Sequence, residues 1–349
     1  MENQTQELND IYAEILLPNS ILVIFGTVFG ILGNIVILYA YALGVQDDAG
    51  ERYFIPILAF IDTIGCITSI VYYLLDNYFL FVFPSDSLCR VLSFLMCFTS
   101  GFSGNTLLVI ALQRYLLICR PLGRQLSSTS RRLAVFILLL VTFIYSSPLF
   151  ATSGIRTSTK VFLNQNVTGN TCVLSVQGGG ATMAYFLLLL VIIIVNISVV
   201  AAFYIPVTKT IYHHLKMKNR RRSYVHNFRM SIAVISNNRD STDTNAICTA
   251  TRTHRTISTE SAPQAKTRIN IMFLAIITVY IFSYVPSFAI LLITYTIEGF
   301  DYLQLSPLGI NAWIFSARLI VLNHIVNPFI YGYFDGKLKS KLKSLFFRK

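Results

Sequence analysis

The sequence predicts an all-α membrane protein: a seven-transmembrane helix bundle with a short amphipathic eighth helix on the inner membrane surface. Three observations carry this reading. The first is composition. The 349 residues are 54% hydrophobic and only 13% charged, with a mean hydropathy of +0.61, whereas a soluble domain carries about 25% charged residues. The second is arrangement. The apolar residues gather into seven long blocks, and a membrane-spanning helix needs about 20 apolar residues. The third is the placement of basic residues, which crowd one side of those blocks.

The blocks cover residues 18–43, 53–77, 87–120, 133–150, 181–215, 267–293 and 308–334. They are apolar all round, so length rather than periodicity identifies them. No backbone group stays unpaired in lipid, which leaves helices as the spans. The domain plan is a short N-terminus (1–17), a seven-span domain (18–334) and a C-terminal segment (335–349).

With the N-terminus outside, only Arg90, Arg156, Lys160 and Arg318 of the 28 Lys and Arg fall on the outer half. This follows the positive-inside rule. The first inner loop is a local exception, since Asp47, Asp48 and Glu51 outweigh Arg52. The net charge of +12 is therefore a feature of the inner face. It suits anionic inner-leaflet lipid. Nucleic acid is not an expected partner, because the charge flanks spans rather than lining a soluble face. Residues 1–17 hold Glu2, Glu7, Asp10 and Glu14 and no basic n-region, so the first span reads as an uncleaved signal anchor. The sequons at Asn3 and Asn166 both fall outside in this topology and are glycosylation candidates. The expected location is the plasma membrane.

Cys66, Cys97 and Cys119 lie within spans or at their inner ends, and Cys248 lies in an inner loop. Only Cys89 and Cys172 fall on the oxidising side, so a disulfide between them is expected. Residues 216–266 are rich in Arg, Ser and Thr and read as a disordered inner loop. Its basic stretches precede Ser223 and Ser258, which suits receptor kinases or a plain solvated linker. After the seventh block, Leu338, Leu342, Leu345 and Phe346 alternate with Lys337, Lys339, Lys341 and Lys343. That pattern is a basic amphipathic helix lying on the membrane.

Several motifs stand in order along these spans. They are Gly33-Asn34-Ile35-Val36, then Leu58-Ala59-Phe60-Ile61-Asp62, then Gln113-Arg114-Tyr115 before Cys119-Arg120-Pro121-Leu122. Later come Phe203-Tyr204-Ile205-Pro206, Ser283-Tyr284-Val285-Pro286 and Asn327-Pro328-Phe329-Ile330-Tyr331. Over residues 18–347 the chain resembles the rhodopsin-like (class A) G-protein-coupled receptors. Its local style is similar to invertebrate peptide-type orphan receptors. It departs from the family at Gln113, where an acid is usual, and at Tyr284, where Trp is commoner. The usual Trp of the fourth helix is absent, and His214 stands where Tyr is frequent.

The resemblance implies roles. Asp62, deep in a span, is expected to face inward with Asn34, Ser103, Asn323 and Asn327, since an isolated carboxylate there is costly. The family implies an allosteric sodium ion at Asp62; a cluster holding only water is the alternative. No other cofactor is expected. Arg114, with Tyr115 and Tyr331, is expected to serve coupling to a heterotrimeric G protein. Gln113 predicts a weakened resting lock, because an acid there normally pairs with the arginine. Pro206, Tyr284, Pro286 and Pro328 are the expected activation switch, with the prolines permitting kinks. Arrestin and receptor kinases are expected at the third inner loop.

The ligand class is narrowed by what is missing. Met96 occupies the place of the aspartate that binds amines, and Val321 that of the retinal lysine. A neuropeptide or peptide hormone is the leading ligand, with a non-peptide small molecule or lipid as the alternative. Met96, Trp313 and Arg318 are the candidate pocket residues, Arg318 being able to take an acidic ligand group. Asp76, Asp86, Glu298 and Asp301 suggest an acidic mouth that draws a basic peptide. A transporter would need an intramembrane relay, and only Asp62 is a deep acid. An enzyme would need a nucleophile–base pair or metal ligands. His324 has no second His or Cys at ligand spacing, and reads as a structural hydrogen-bonding group.

Overall fold

The structure is a computed structural model that describes residues 2–45, 50, 52–175, 180–237, 262–297 and 300–346. Helix α1 (Glu2–Ile15) precedes the first span, α2 (Leu17–Ala42). The next spans are α3 (Phe54–Tyr78), α4 (Asp86–Cys119) and α5 (Ser128–Ser146), the last extended by one turn, α6 (Leu149–Thr152). Strands β1 (Gly154–Phe162) and β2 (Gln165–Val173) follow. Helices α7 (Gly180–Asn237) and α8 (Ala262–Thr296) are the fifth and sixth spans. The seventh is α9 (Pro307–Ala317) with α10 (Leu322–Phe334), and α11 (Gly336–Phe346) comes last. Among the described residues six helices are long and apolar enough to cross a membrane, and the pair Pro307–Ala317 and Leu319–Phe334 makes a seventh, bent by 42°. The protein is a seven-helix membrane bundle.

Serines set several helix starts. The hydroxyls of Ser85, Ser127 and Ser306 accept from the backbone N–H of Leu88, Ser130 and Gly309. Each satisfies a donor that the first helical turn leaves open. The fourth span begins at Ser128, five residues before its apolar block at 133. Hydropathy finds the apolar part; the cap finds the backbone end. Large side chains such as Phe25 and Phe29 on α2 and Val191 and Val195 on α7 are exposed, as lipid-facing side chains are.

The bend in the seventh span has a local cause. The helix tightens to a 3-10 turn at Leu319–Val321, and Arg318 N–H is shared among Ile314, Phe315 and Ser316 carbonyls. Ser287 on α8 meets the break. Its hydroxyl accepts from Ile320 N–H at 3.0 Å and lies 3.3 Å from Ser316 O. A side chain from a neighbouring helix thus satisfies backbone groups that a broken helix would leave open in lipid.

The expected disordered loop at 216–266 is corrected in part. Helix α7 runs on to Asn237 and α8 begins at Ala262. From Leu215 to Asn237 there is no Gly or Pro, and Lys, Arg and Met are good helix formers. Hydropathy does not register such a polar continuation. Ser223 is in this helix, whereas Ser258 and Cys248 lie outside the described residues, as do Asp47, Asp48, Glu51 and Glu298.

The N-terminal segment is also ordered rather than a tail. Leu8 and Leu16, with Tyr12 and Ile15, pack against Phe81, Val167, Ile310 and Ile314. Asn9 is the peg: its side-chain amide donates to Tyr78 O at 2.9 Å and accepts from Phe81 N–H at 3.1 Å. Asn311 reaches back to Ile15 O at 2.7 Å. Helix α1 therefore lies across the amino-terminal face of the bundle.

At the opposite face one ion pair joins two distant loops. Arg52 and Asp335 meet at 2.6 Å, both buried. Asp335 also accepts from the N–H groups of Lys337 and Leu338, capping α11. Leu338 is fully buried while Lys337, Lys339 and Lys343 are exposed. The basic amphipathic pattern is thus realised, with its apolar side anchored. Removing one member of a buried pair costs about 3–5 kcal/mol, because the other charge stays buried alone. Arg52→Leu is therefore expected to lower the thermal unfolding midpoint of the purified chain by many degrees. An unchanged midpoint would show that Asp335 finds water or another donor.

Candidate ligand cavity and central polar site

The second long loop is an antiparallel hairpin. Gly154 pairs with Val173 and Phe162 with Gln165, closed by Leu163 and Asn164, both at positive φ. Such a two-residue turn matches the natural strand twist. The segment after α3 adds to its edge: Phe83 N–H donates to Asn170 O, and Asn170 N–H to Phe81 O. Gly169 makes this approach possible, because a Cβ there would stand 2.9 Å from Phe81. The expected Cys89–Cys172 disulfide is present, with the Cα atoms 5.7 Å apart. Cys66, Cys97 and Cys119 are free. Asn3 and Asn166 are exposed on this same face.

Beneath the hairpin is a cavity of about 390 Å³. Its lining is mainly apolar and includes Met96, Trp313 and Arg318, the three residues expected from sequence. Tyr284 and Ser100 lie at its inner side, and Leu174 of the hairpin segment closes over it. Tyr302 also lines it. Burial, then the nearby Asp76, holds that phenol well above its ordinary range, so Tyr302 stays un-ionised.

Two charge expectations need correction. Arg318 is not a free guanidinium awaiting an acidic ligand. It donates to Asp76 at 2.6 Å, Asn77 at 2.8 Å and Asn19 at 3.0 Å, and lies over the Tyr73 ring. Nor is the mouth a ring of free acids. Asp76 pairs with Arg318, Asp86 with Arg90, and Asp301 with Lys160. A buried or half-buried acid recruits a base, and pairs from distant spans are invisible to a charge count. Among the described residues of this face, Glu7, Asp10 and Glu14 on α1 are exposed and pair with no base, Asp10 accepting from Gln6.

The central site forms around Asp62, which is fully buried. Ser103 donates to Oδ1 at 2.9 Å and Asn327 to Oδ2 at 2.7 Å. Asn323 donates to Ser103 at 2.9 Å. Asn34 does not touch Asp62. It donates instead to Gly30 O and His324 O. His324, expected from sequence as a structural hydrogen-bonding group, is one, and it joins the Asp62 cluster to which sequence reasoning did not assign it. Its Nδ1 lies 2.7 Å from Asp62 Oδ1 and its Nε2 lies 3.3 Å from Ser100. A signal was available, since His324 stands three residues before Asn327 and so shares its helix face.

A second polar network joins α4, α5, α7 and α8. Asn105 donates to Thr142 and Tyr145, Asn196 donates to Asn105, and Tyr280 donates to Asn196 at 2.7 Å. Tyr284, on the helix that also holds Pro286, donates to Ser100 O at 2.6 Å. Ser100 is therefore the junction between the two networks, with Tyr284 on its carbonyl and His324 on its hydroxyl. Pro206 and Pro328 lie inside α7 and α10.

At the other end, Arg114 is almost fully buried, its guanidinium 4.3 Å above the Phe273 ring of α8. Tyr115 packs on Phe203, and Tyr331 is buried in the same core. Gln113 makes no hydrogen bond to Arg114. It donates to Gly50 O at 2.9 Å, and its own Oε1 accepts none among the described residues. Two other contacts are present instead of the expected Gln113–Arg114 hydrogen bond. Gln113 ties α4 to the first loop, and Arg114 leans on α8.

The Arg318 cluster makes a clear prediction. Arg318→Ala strips donors from Asp76, Asn77 and Asn19 at once, at an expected cost of about 3 kcal/mol. Arg318→Lys keeps the charge but not the planar fork, and should recover less than half of the lost thermal stability of the purified protein. Full rescue by lysine would mean that charge alone matters there.

Comparison with known proteins places this architecture. A family model described as 7 transmembrane receptor (rhodopsin family) matches residues 33–331. The mouse neuropeptide Y receptor type 4 is 24% identical over 331 residues, covering 91% of this chain and 76% of that receptor. A neuromedin U receptor homolog of Caenorhabditis elegans is 31% identical over 144 residues, covering 39% and 35%. The crystal structure of squid rhodopsin superposes with a TM-score of 0.61 at 16% identity, over 97% of this chain and 86% of that one. The matched stretch runs from Gly33 to Tyr331 and contains the Asp62 site, Arg114 and the prolines Pro206, Pro286 and Pro328: the chain belongs to the rhodopsin family of seven-transmembrane receptors.

Proposed function

We propose that this chain is a plasma-membrane receptor with an extracellular N-terminus. In this reading it binds a peptide in the cavity beneath the hairpin and activates a heterotrimeric G protein at the opposite face. The observation that carries it is the division of the bundle. A cavity sits under a disulfide-tethered hairpin at one end, and a buried arginine lies against α8 at the other. Support for a peptide comes from the relatives, which are receptors for neuropeptide Y and neuromedin U by name.

The cavity suits an apolar or aromatic end of the peptide, since its walls are mainly apolar and its one base is already paired. Steering of a basic peptide then falls to Glu7, Asp10 and Glu14 on α1 rather than to the mouth. Arrestin and receptor kinases would engage the long α7–α8 connection. The exposed lysines of α11 would meet anionic lipid. The same apolar lining favours a second reading, a lipid or small apolar ligand. A peptide library applied to cells that express the chain with a promiscuous G-protein reporter distinguishes the two. A concentration-dependent peptide response supports the first, and a response to lipids alone replaces it with the second.

Coupling gives a further prediction. In this account the Arg114–Phe273 contact holds α8 against α4 at rest. A desolvated cation–π contact is worth about 1–2 kcal/mol. Phe273→Leu, which keeps an apolar group in place, should raise basal reporter output roughly fivefold at matched surface expression. Arg114→Ala should abolish agonist-driven output without lowering expression. Unchanged basal output in Phe273→Leu would place the resting lock elsewhere.

A further inference from the structure

We infer that His324 occupies the place of the sodium ion at Asp62, so that this receptor carries its own cation-site substitute and does not bind sodium there. The inference rests on the family and on the central site, not on the ligand class.

The donor set does not fit the ion. A hard cation of calcium's size sits about 2.3–2.6 Å from its oxygens and takes several of them; sodium is of similar size. At Asp62 Oδ1 that position is held by a ring nitrogen, 2.7 Å away. The same oxygen also accepts from Ser103, so both its lone pairs are engaged. Oδ2 accepts from Asn327. Ser103 is itself engaged twice, donating to Asp62 and accepting from Asn323. The groups facing the carboxylate are thus donors, whereas an ion needs oxygens turned toward it.

The imidazole is also held where it is. Nδ1 meets Asp62, Nε2 meets Ser100, and Asn34 fixes the backbone carbonyl of His324. The ring lies against Gly65, where a Cβ would stand 2.9 Å from three ring atoms. Gly65 follows Asp62 by three residues on α3, so the same helix face supplies both the carboxylate and the gap that admits the ring. Only 1% of His324 is exposed, so the ring sits within the packed bundle.

One observation leans the other way. The side-chain oxygens of Asn34, Asn323 and Asn327 are buried without a donor. Each amide nitrogen of Asn323 and Asn327 already points into the cluster, so its oxygen lies on the other arm of the same planar group. Such oxygens suit a bridging water.

The test follows thermal unfolding of the detergent-purified full chain, using a thiol-reactive dye that reports exposure of the buried Cys66. Sodium chloride is compared with N-methylglucamine chloride at equal ionic strength. The wild type is expected to unfold at the same temperature in both. His324→Ser opens the position and adds an oxygen, and should gain about 3 °C in sodium alone. Adding Asp62→Asn to that variant should remove the gain. If His324→Ser does not fold, His324→Asn carries the same comparison. A sodium-dependent rise in the wild type that Asp62→Asn abolishes overturns the inference. So does a folded His324 variant that stays insensitive to sodium.

Discussion

A carboxylate in the middle of an apolar bundle must be answered by hydrogen bonds from its neighbours, and Asp62 sets that demand. Lipid offers no water, so unsatisfied polar groups cost several kcal/mol. Three helices respond directly or at one remove. Ser103 comes from α4, and His324, Asn327 and Asn323 come from α10. Asn34 brings α2 in through the His324 carbonyl. The packing of these four helices follows from placing one charge-bearing side chain where only they can reach it.

One residue links this centre to the cavity wall. Ser100 touches His324 with its hydroxyl and accepts from Tyr284 with its carbonyl. Tyr284 and Ser100 also line the cavity. A ligand that moves Tyr284 therefore acts on a group two hydrogen bonds from Asp62. Tyr284 stacks near Tyr280, which leads into the Asn196–Asn105 network of α7 and α4. The helices containing Pro206 and Pro286 are held by this second network rather than by Asp62 itself. Helices tied by a few hydrogen bonds and carrying an internal proline can take two packings. Both faces, by contrast, are stapled: the disulfide, α1 and the hairpin at one, Arg52–Asp335 and Gln113–Gly50 at the other.

The spans were legible in the sequence because length and hydropathy are what lipid selects. Asp62, Ser103 and Asn327 were legible through motifs. His324 was legible as a structural hydrogen-bonding group, but its pairing with Asp62 was not. Its three-residue offset from Asn327, matched by that of Gly65 from Asp62, was the usable signal. The Asp76–Arg318 and Lys160–Asp301 pairs join residues far apart in the chain, which no local charge pattern reports. Asp86–Arg90 is the contrast: its four-residue helical spacing could be read directly. The docking of α1 is intermediate. Leu8, Tyr12 and Ile15 show helical spacing, but the surface that receives them exists only once the hairpin and Phe81 are folded.

The central claim is that Asp62 and His324 act as one unit that organises the bundle. A double-mutant cycle on thermal stability, using Asp62→Asn, His324→Gln and the double variant, measures that unit directly. Residues sharing a buried hydrogen-bond network show coupling of about 0.5–3 kcal/mol. The account predicts a coupling above about 1 kcal/mol, with the double variant less destabilised than the sum of the singles. Additive effects would contradict it and reduce His324 to a neighbour of Asp62 rather than its partner.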